Sequence, residues 1–348
     1  MITLVTGATG FIGRRVVRRL IELDGPAAVV CLVKPPATPL EAEALEAFRS
    51  RGVRLLDGDL LNQPISASPP PQIDRVFHLA ANIDTDATDR DLVVNHAGTR
   101  NLLDWLGPVS NGIRIIYASS VAVHDRDRAP RGPIDESSPL VPRTPYGRTK
   151  LWGEAILREG AAAGGYSWTI LRLPTVYGPG QKPGGLFDKM IELASGGGLL
   201  GRVDWPGRTS IIHVDDVAAA MIELSTRPEA AGEIFCVASD ESLTVGDIAR
   251  IVGRSIGREV RPTPIPGPLL AMTRALAWNR RVASLLPRAA RLPFWRLSLI
   301  VSDGFWFDTT KFRRVYRKPL RPLERGLEDV VSTGRTDNHS QTTIKSNH

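Results

Sequence analysis

An apolar run followed at once by three evenly spaced glycines opens this sequence. The run Ile2–Thr6 is typical of a short strand, Gly7, Gly10 and Gly13 come next, and a helix is predicted from Phe11 to Leu23. Because glycine lacks a Cβ atom, Gly7 can take the tight turn, Gly10 lets the backbone approach a pyrophosphate, and Gly13 lets the helix pack against the strand. The negative charge of such a ligand would meet free backbone N–H groups and the positive end of the helix dipole. Together, the strand, turn and helix predict a dinucleotide-binding α/β fold.

The pattern that begins with this turn repeats along the first half of the chain. Short, nearly continuous apolar runs alternate with amphipathic stretches of ten or more residues. The predicted strands cover residues 2–6, 27–33, 53–58, 75–81, 113–120 and 167–173, and the predicted helices cover residues 11–23, 40–51, 90–106 and 144–159. Such alternation is typical of βαβ units with right-handed crossovers. It predicts a Rossmann-type doubly wound parallel sheet that helices cover on both faces.

The regular alternation weakens after Pro174, where glycine and proline become frequent in YGPGQKPGG and ASGGGLLGR. Loops of this composition commonly lie over a ligand site, so a smaller C-terminal α/β substrate lobe is predicted to begin here. The predicted division is a dinucleotide-binding domain of residues 1–173, to which residues 208–226 return, a substrate-binding lobe of residues 174–207 and 227–333, and a disordered polar tail of residues 334–348.

Residues 266–301 are both apolar and basic. The segment carries six arginines and many Leu, Trp and Phe side chains, which could bury against a ligand or against lipid. Its position before the closing helices of the substrate lobe, and the prolines that break it into short helices, favour a lid over the substrate cleft. A helix on a membrane surface is the alternative. Trp278 and Phe294 are side chains that a lid would place against the substrate.

Composition places the chain among ordinary globular proteins. Its net charge is +7, but Lys and Arg are scattered among acids and no nucleic-acid-binding motif occurs. Cys31 and Cys236 lie in apolar runs and are interpreted as small buried hydrophobes, while the six histidines fall in different segments, so no metal site is predicted. Neither a basic leader nor a membrane-spanning run of about 18 uncharged apolar residues is found. A cytoplasmic protein that binds a small molecule is expected, and a homodimer is compatible with the sequence.

Tyr146 and Lys150 stand four residues apart in YGRTK, within a predicted helix. This spacing places both side chains on one face of the helix, where the ammonium group is expected to favour the phenolate and lower the pKa of the tyrosine. Ser120 ends the apolar run IRIIYASS and would hydrogen-bond a substrate oxygen that gains charge, with Ser119 as the competing candidate. A phenol placed in this way can protonate a carbonyl oxygen or deprotonate an alcohol. Ser120, Tyr146 and Lys150 are therefore predicted to be catalytic.

Several motifs follow one another along nearly the whole chain: TGATGFIG, GDL, FHLAA, NHAGTRNL, ASS, YGRTK, LRLPTVYGPGQ and HVDDVA. In this order, and with GxxGxxG in place of the usual GxGxxG, they resemble the extended short-chain dehydrogenase/reductase family, also called the NAD-dependent epimerase/dehydratase family. The resemblance implies an NAD(P)-dependent oxidoreductase that works through Ser, Tyr and Lys. It also implies that Lys150 binds the nicotinamide ribose.

The resemblance further implies where the cofactor lies. Asp59 and Leu60 would flank the adenine, and Ala80 and Ala81 would lie near the ribose. Asn95 would be the structural asparagine of the active-site wall, with helix capping as the alternative. The full set of implied cofactor contacts is Gly7, Thr9, Gly10, Phe11, Ile12, Gly13, Lys34, Asp59, Leu60, Ala80, Ala81, Lys150, Pro174 and Val176.

Cofactor choice depends on the end of the second strand, where NAD-dependent members of this family carry an acid that holds the ribose 2′-OH. Val33 occupies that place, and Lys34 follows it. Without the carboxylate a 2′-phosphate is no longer repelled, and a neighbouring cation attracts it; Arg14 at the start of the first helix could add to this attraction. NADP(H) is therefore predicted, with NAD(H) as the alternative.

Three branches of the family differ at positions that this sequence contains. Dehydratases place an Asp-Glu pair directly after the catalytic Ser or Thr, whereas this chain has Val121 and Ala122, which argues against dehydration. Nucleotide-sugar epimerases commonly carry an Arg just before the strand of HVxD, whereas Thr209 stands there and Arg208 comes one position earlier. The pattern SIIHVDDVAAA and the apolar segment of residues 266–301 are similar to hydroxysteroid-type dehydrogenases and dihydroflavonol-type reductases.

These comparisons predict hydride transfer between NADP(H) and a ketone or secondary alcohol of a small, largely apolar molecule. One alternative is a nucleotide-sugar epimerase or 4-ketoreductase. A second alternative, from another class, is a regulator that binds NADP without turnover, although such a protein would normally lack a complete Ser, Tyr and Lys set.

Overall fold

The computed structural model describes residues 1–61, 65, 72–84, 87–108, 112–124, 132–181, 187, 203–259, 263–277, 279, 282, 285, 301–302 and 306–330. The strands are β1 (Thr3–Thr6), β2 (Val29–Val33), β3 (Arg54–Asp57), β4 (Arg75–His78), β5 (Arg114–Ser120), β6 (Ser167–Leu173), β7 (Thr175–Tyr177), β8 (Val203–Asp204), β9 (Arg208–Thr209), β10 (Ile211–His213), β11 (Glu233–Cys236), β12 (Leu243–Thr244) and β13 (Thr263–Pro264). The helices are α1 (Phe11–Asp24), α2 (Pro39–Ser50), α3 (Ala97–Leu106), α4 (Pro145–Gly164), α5 (Val214–Thr226), α6 (Val245–Ser255), α7 (Gly267–Ala277), α8 (Thr310–Val315) and α9 (323–330).

The central sheet has seven strands in the order β11, β6, β5, β4, β1, β2, β3, and every neighbouring pair is parallel. The direction of winding reverses between β1 and β4. Outside the carboxyl ends of strands at such a reversal lies a crevice in which α/β proteins bind ligands. The predicted Rossmann-type doubly wound parallel sheet is confirmed.

Two apolar layers hold helices against the faces of this sheet. On one face α1, α2 and α5 pack together, and α1 contributes Val16, Val17 and Leu20 from a stripe at helical spacing. On the other face α3 and α4 pack through side chains that include Leu102 and Leu157. The central strands β1, β2 and β4 are wholly buried between them, which explains their nearly continuous apolar sequences.

The predicted division of the chain is wrong at β11. Residues 227–333 were expected in the substrate lobe, but β11 pairs in parallel with β6 and completes the central sheet, with Ile234 opposite Ile170. The reason is that α5 and β11 form a further crossover unit on β6. Residues 174–213 separate β6 from that helix, and this insertion hides the βαβ period in the sequence.

Residues 306 and 307, near the last described helices, pair with Ile134 between β5 and α4. Ile134 bridges to Phe307, and the Ile134 N–H donates to the carbonyl of Trp306 at 2.6 Å.

The predicted lid lies mostly outside the described residues, as do Trp278, Phe294 and the predicted tail. Its described helix, α7, exposes three large apolar side chains, those of Leu269, Met272 and Leu276. Among the helices that the structure describes, none has the length and apolar character needed to cross a bilayer.

Candidate active site

The glycine turn between β1 and α1 adopts the geometry that its sequence predicts. Gly7 has a φ of +66°, and a Cβ there would lie 2.6 Å from the backbone nitrogen of Ala80. A Cβ at Gly13 would overlap the carbonyl oxygen of Gly7, so only glycine lets α1 start this close to β1. At Gly10 the nearest atom to such a Cβ is the Gly7 oxygen at 3.1 Å, and no side chain caps the helix. An open helix N-terminus of this kind fits the pyrophosphate of a dinucleotide.

The other predicted cofactor residues lie at the same edge of the sheet, after the carboxyl ends of its strands. Asp59 and Leu60 follow β3, and the Asp59 carboxylate accepts a hydrogen bond from the Leu61 N–H at 2.9 Å. Ala80 follows β4 and donates its N–H to the Thr6 hydroxyl at 3.3 Å, with Ala81 next to it. The remaining members of the set lie in the glycine turn or around β6 and β7: Thr9, Phe11, Ile12, Pro174 and Val176. The structure therefore brings the predicted set to one edge, while its contacts with a cofactor stay a prediction.

Positively charged side chains follow β2 and line a groove between α1 and α2. Val33 is the last, buried residue of that strand, and the side chain of Lys34 after it is exposed. Arg14 in α1 donates to the carbonyl oxygen of Gly180 at 3.1 Å. Between α1 and α2 lies a groove of about 240 Å³. Apolar side chains line it together with four arginines and one acid, which are Arg14, Arg15, Arg18, Arg51 and Glu43. This groove contains none of the predicted catalytic residues.

Ser120, Tyr146 and Lys150 meet where β5 ends and α4 begins. The Thr144 hydroxyl caps α4 by accepting from the Gly147 N–H at 3.0 Å, which places Tyr146 in the first turn. The side chain of Tyr146 is hydrogen-bonded to Ser120, the last residue of β5. Lys150 lies one turn further along α4 and is 3% exposed. The structure thus brings together the three residues that the sequence predicts to be catalytic.

Two glycines of α4, which the sequence analysis did not single out, make this meeting possible. A Cβ at Gly147 would overlap the carbonyl oxygen of Ala122, in the turn that follows Ser120. At Gly153 a Cβ would lie 2.7 Å from the carbonyl oxygen of Asn95 and would overlap the Tyr117 hydroxyl. Glycine inside a helix costs about 0.5–1 kcal/mol relative to alanine, so such residues are a sequence signal of close packing.

Burial is the largest influence on the pKa of each member of the predicted catalytic pair, Tyr146 and Lys150. It raises the pKa of Tyr146, and the hydrogen bond with Ser120 offsets only part of this effect. It lowers the pKa of Lys150 to about 8, against the field of the Glu154 carboxylate, which raises it. The expected lowering of the Tyr146 pKa is therefore wrong for the chain alone, because the cost of burying a phenolate outweighs the favourable hydrogen bond with Ser120.

Asn95 is a structural residue and does not cap α3, whose N-cap is His96. Its side-chain oxygen accepts from the Asn82 N–H at 2.8 Å. Its amide nitrogen donates to the Asn82 carbonyl at 3.0 Å and to the Thr149 hydroxyl at 3.1 Å. Asn95 therefore ties the segment after β4 to α4, beside the predicted site.

The competing serine is occupied elsewhere. Ser119 is buried and its hydroxyl donates to the Glu154 carboxylate at 2.5 Å, whereas Ser120 contacts Tyr146. Because side chains alternate along a strand, the two serines of β5 face opposite sides. This geometry favours Ser120 as the residue that reaches a substrate oxygen.

Both cysteines are buried, and burial raises the pKa of the Cys31 thiol to about 12 and that of Cys236 as well. A thiol with a raised pKa is a poor nucleophile, which fits their interpretation as packing residues. In the part of the chain that the structure describes, no three His, Cys, Asp or Glu side chains are grouped so that they could hold a metal ion.

Comparisons with known proteins show which family the chain resembles. Residues 3–238 match the profile of the NAD dependent epimerase/dehydratase family. A UDP-glucose 4-epimerase of Mycolicibacterium smegmatis is 28% identical over 325 residues, which cover 90% of this chain and 99% of that protein. The 3beta-hydroxysteroid-dehydrogenase/decarboxylase isoform 1 of Arabidopsis thaliana is 25% identical, covering 95% of this chain and 79% of that one.

A solved structure shares the fold over almost its whole length. The UDP-glucuronic acid 4-epimerase of Bacillus cereus, in complex with UDP-glucuronic acid and NAD, superposes with a TM-score of 0.71. Its sequence is 23% identical, and the match covers 97% of this chain and 99% of that one. At this level of identity the likeness shows the fold alone.

Proposed function

The chain belongs to the NAD-dependent epimerase/dehydratase family and is an enzyme of the short-chain dehydrogenase/reductase type, and from this premise we propose that it transfers a hydride between a nicotinamide cofactor and a ketone or secondary alcohol. The observation that carries the proposal is the meeting of Ser120, Tyr146 and Lys150 at the edge of the sheet that also holds the glycine turn. This edge lies at the winding reversal between β1 and β4.

Each of the three residues has a distinct task in this chemistry. When bound, the nicotinamide supplies or accepts the hydride. Tyr146 gives its phenolic proton to the carbonyl oxygen during reduction, and takes it back during oxidation. Ser120 donates a hydrogen bond to the same oxygen as negative charge develops on it. Lys150 would bind the nicotinamide ribose, and its ammonium group stabilises the phenolate that Tyr146 becomes when it gives up its proton.

The pH dependence of reduction follows from Lys150. Its ammonium form predominates below a pKa of about 8 and is lost as the pH rises above that value. We expect kcat/KM for the reduced cofactor, which reports on the free enzyme, to fall above about pH 8. Lys150→Arg is the matched variant, since its guanidinium stays charged in this range, and it should lose the falling limb even if its rate is lower. A profile with no fall between about pH 7 and pH 10 in the natural protein would contradict this role.

The cofactor we propose is NADP(H). Three features support it: Val33 replaces the acid that would repel a 2′-phosphate, the exposed Lys34 follows it directly after β2, and Arg14 lies in the first turn of α1. The groove that Arg14 lines also holds Arg15, Arg18 and Arg51, of which the first two pair with Asp215. NAD(H) is the alternative, and NAD is bound in the Bacillus cereus epimerase.

Lys34→Ala tests the cofactor proposal. NADPH should bind the natural protein more tightly than NADH, and the substitution should reduce that difference by about 1–2 kcal/mol, because one charge-assisted contact to the phosphate is lost. Dissociation constants from the fluorescence of the two reduced cofactors give the comparison. Lys318→Ala, which removes an exposed lysine paired with Glu223, should leave the ratio unchanged. Equal affinities for the two cofactors in the natural protein would refute the preference.

The substrate we propose is a small, largely apolar ketone or alcohol. Behind Ser120, Val121 begins the short 3-10 turn Val121–His124 and packs against an apolar cluster: Ile134, Cys236, Ala238 and Phe307. An apolar side chain therefore stands at the place where dehydratases of this family carry an acid. The similarity to the Arabidopsis thaliana hydroxysteroid dehydrogenase/decarboxylase supports the same substrate class.

Nucleotide-sugar epimerisation is the second candidate, and the similarity to a UDP-glucose 4-epimerase along 99% of its length favours it. Against it, Thr209 of β9 stands where nucleotide-sugar epimerases commonly carry an arginine, and it pairs with Leu243 of β12. The neighbouring Arg208 has its guanidinium 4.5 Å from the centroid of the Trp306 ring. Two assays separate the candidates. A reductase oxidises added NADPH in the presence of apolar ketones, whereas an epimerase converts UDP-glucose to UDP-galactose without added reduced cofactor. A regulator would bind the cofactor and do neither.

A further inference from the structure

A buried ion pair lies directly beneath the catalytic residues. Glu154 of α4 and Arg172 of β6 are each 2% exposed. The arginine donates to both carboxylate oxygens, from Nη2 at 2.8 Å and from Nε at 3.1 Å. One of these oxygens also accepts the Ser119 hydroxyl at 2.5 Å. This two-point contact fixes the carboxylate in one orientation against the end of β5.

The remaining side of Arg172 fixes the segment that follows Ser120. Its Nη1 contacts His124 Nε2 at 2.9 Å and donates to the Glu136 carbonyl at 3.4 Å. Because a guanidinium only donates, His124 Nε2 must accept, and the imidazole is neutral with its proton on Nδ1. That nitrogen faces the carbonyl oxygen of Pro139 at 3.3 Å. The protons of the network therefore have one arrangement, which holds the Val121–His124 turn in place.

Glu154 also shares a face of α4 with the catalytic pair. Tyr146, Lys150 and Glu154 follow one another at intervals of four residues, which places their side chains along one stripe of the helix. The carboxylate raises the pKa of Lys150 and so opposes the effect of burial.

Other groups that face Lys150 come from the sheet. The Tyr117 ring of β5 has its centroid 4.5 Å from the Lys150 ammonium. His78 of β4 is buried between the hydroxyls of Thr6 and Thr99. Burial and the charge of Lys150 lower the pKa of His78 to about 3, so this imidazole is neutral near neutral pH. The negative charge that acts on Lys150 therefore comes from Glu154.

Stability alone is a weak reason for such a pair, because well-packed apolar residues of similar volume often serve a core equally well. We propose that Glu154 and Arg172 are positioning residues for hydride transfer: Glu154 keeps Lys150 charged and, through Ser119, fixes the strand end that presents Ser120 to Tyr146, while Arg172 holds the Glu154 carboxylate in place. The role is defined relative to the proposed function, since it concerns the residues that carry that reaction.

The test is a titration of Lys150 that needs no substrate. In the full chain, labelled with ¹³C at the lysine side chains, the signal that Lys150→Met removes identifies Lys150. Its midpoint in the natural protein is expected at about 8. Glu154→Gln should move the midpoint to lower pH by about one pH unit, the usual effect of one nearby opposite charge. The falling limb of the reductive pH profile should move in the same direction, and Glu154→Asp, which keeps the charge, should restore most of both.

Asp24→Asn is the matched control. It breaks another ion pair with a buried arginine, Arg75, whose Nη2 lies 2.6 Å from the Asp24 carboxylate. Arg75 is the first residue of β4, so this pair lies at the amino ends of the strands, away from Lys150. This variant should lose stability and leave the Lys150 titration unchanged. If Glu154→Gln does not fold because Arg172 is left unpaired, Glu154→Gln with Arg172→Met removes both charges and should show the same lowered midpoint.

An unchanged Lys150 midpoint in the Glu154 variants would overturn the proposal, whether or not the protein transfers a hydride. A lowered midpoint in a protein that transfers none would instead overturn the proposed function and confirm the electrostatic effect of Glu154. A lowered midpoint together with a shifted pH profile supports both.

Discussion

Tyr146→Phe is expected to lower kcat by about 10²- to 10⁴-fold, the usual contribution of a positioned acid or base. The substitution removes one oxygen, the atom that shares a hydrogen bond with Ser120, and keeps the ring that fills the space. Cofactor affinity should change little, because the glycine turn and Lys150 are untouched. Steady-state rates and a direct measurement of cofactor binding on the same preparation give the two results.

Two further variants make this result specific. Tyr166→Phe removes a hydroxyl that contacts the carbonyl of Gly107, the residue that follows α3, and should leave turnover near that of the natural protein. Lys150→Met should weaken both turnover and cofactor binding, because Lys150 is assigned to the ribose as well as to the phenol. Near-normal turnover in Tyr146→Phe would show that another group moves the proton.

Gly13→Ala is expected to abolish most cofactor binding and to destabilise the fold. The new Cβ would overlap the Gly7 carbonyl oxygen and lie 2.8 Å from that of Ala8. Both obstacles are backbone atoms, so α1 must move away from β1 and the turn that holds the pyrophosphate must open. We expect a free energy of unfolding lower by about 1–3 kcal/mol, as for other overpacked sites, and cofactor affinity lower by at least about tenfold. Denaturant unfolding and cofactor titration measure these two quantities.

Gly160→Ala is the matched control for this variant. Its Cβ would meet only the side chain of Leu103, which can change rotamer. Alanine also favours the helical conformation over glycine by about 0.5–1 kcal/mol, so this variant should bind the cofactor normally and unfold at similar or higher denaturant. Normal cofactor affinity in Gly13→Ala would contradict the assignment of the turn.

Much of the fold could be predicted because each βα unit shows its own period in the sequence. The start of α3 could not. A helix was predicted from residue 90, but a 3-10 turn, Val93–Asn95, comes first and α3 begins at Ala97. The side chain of Asn95 bonds to Asn82 and Thr149, which are 13 and 54 residues away along the chain. Such partners from distant segments override local helix preference, and no nearby sequence pattern records them.

In the candidate site, too, local features could be predicted from the sequence and long-range contacts could not. The spacing of Tyr146 and Lys150 on one helix, and the position of Ser120 at a strand end, are local features that a sequence contains. The pairing of Glu154 with Arg172 joins a helix to a strand, and its one sequence signal is an arginine inside the buried run SWTILRL. The direction of the Tyr146 pKa depends on how deeply the phenol is buried, which only the packed structure defines.

The most direct test of hydride transfer uses NADPH with deuterium at the transferable position. The full chain is incubated with this cofactor and with two sets of carbonyl compounds, apolar cyclic ketones and 4-keto nucleotide sugars. Mass spectrometry then measures how much deuterium each product contains. We expect one deuterium on the carbon of the new alcohol in the apolar set, and an initial rate of deuterium transfer at least about a hundredfold lower with Tyr146→Phe. A protein that binds NADPH but delivers no deuterium to any compound of either set, or delivers it equally well without the Tyr146 hydroxyl, would contradict the proposed chemistry.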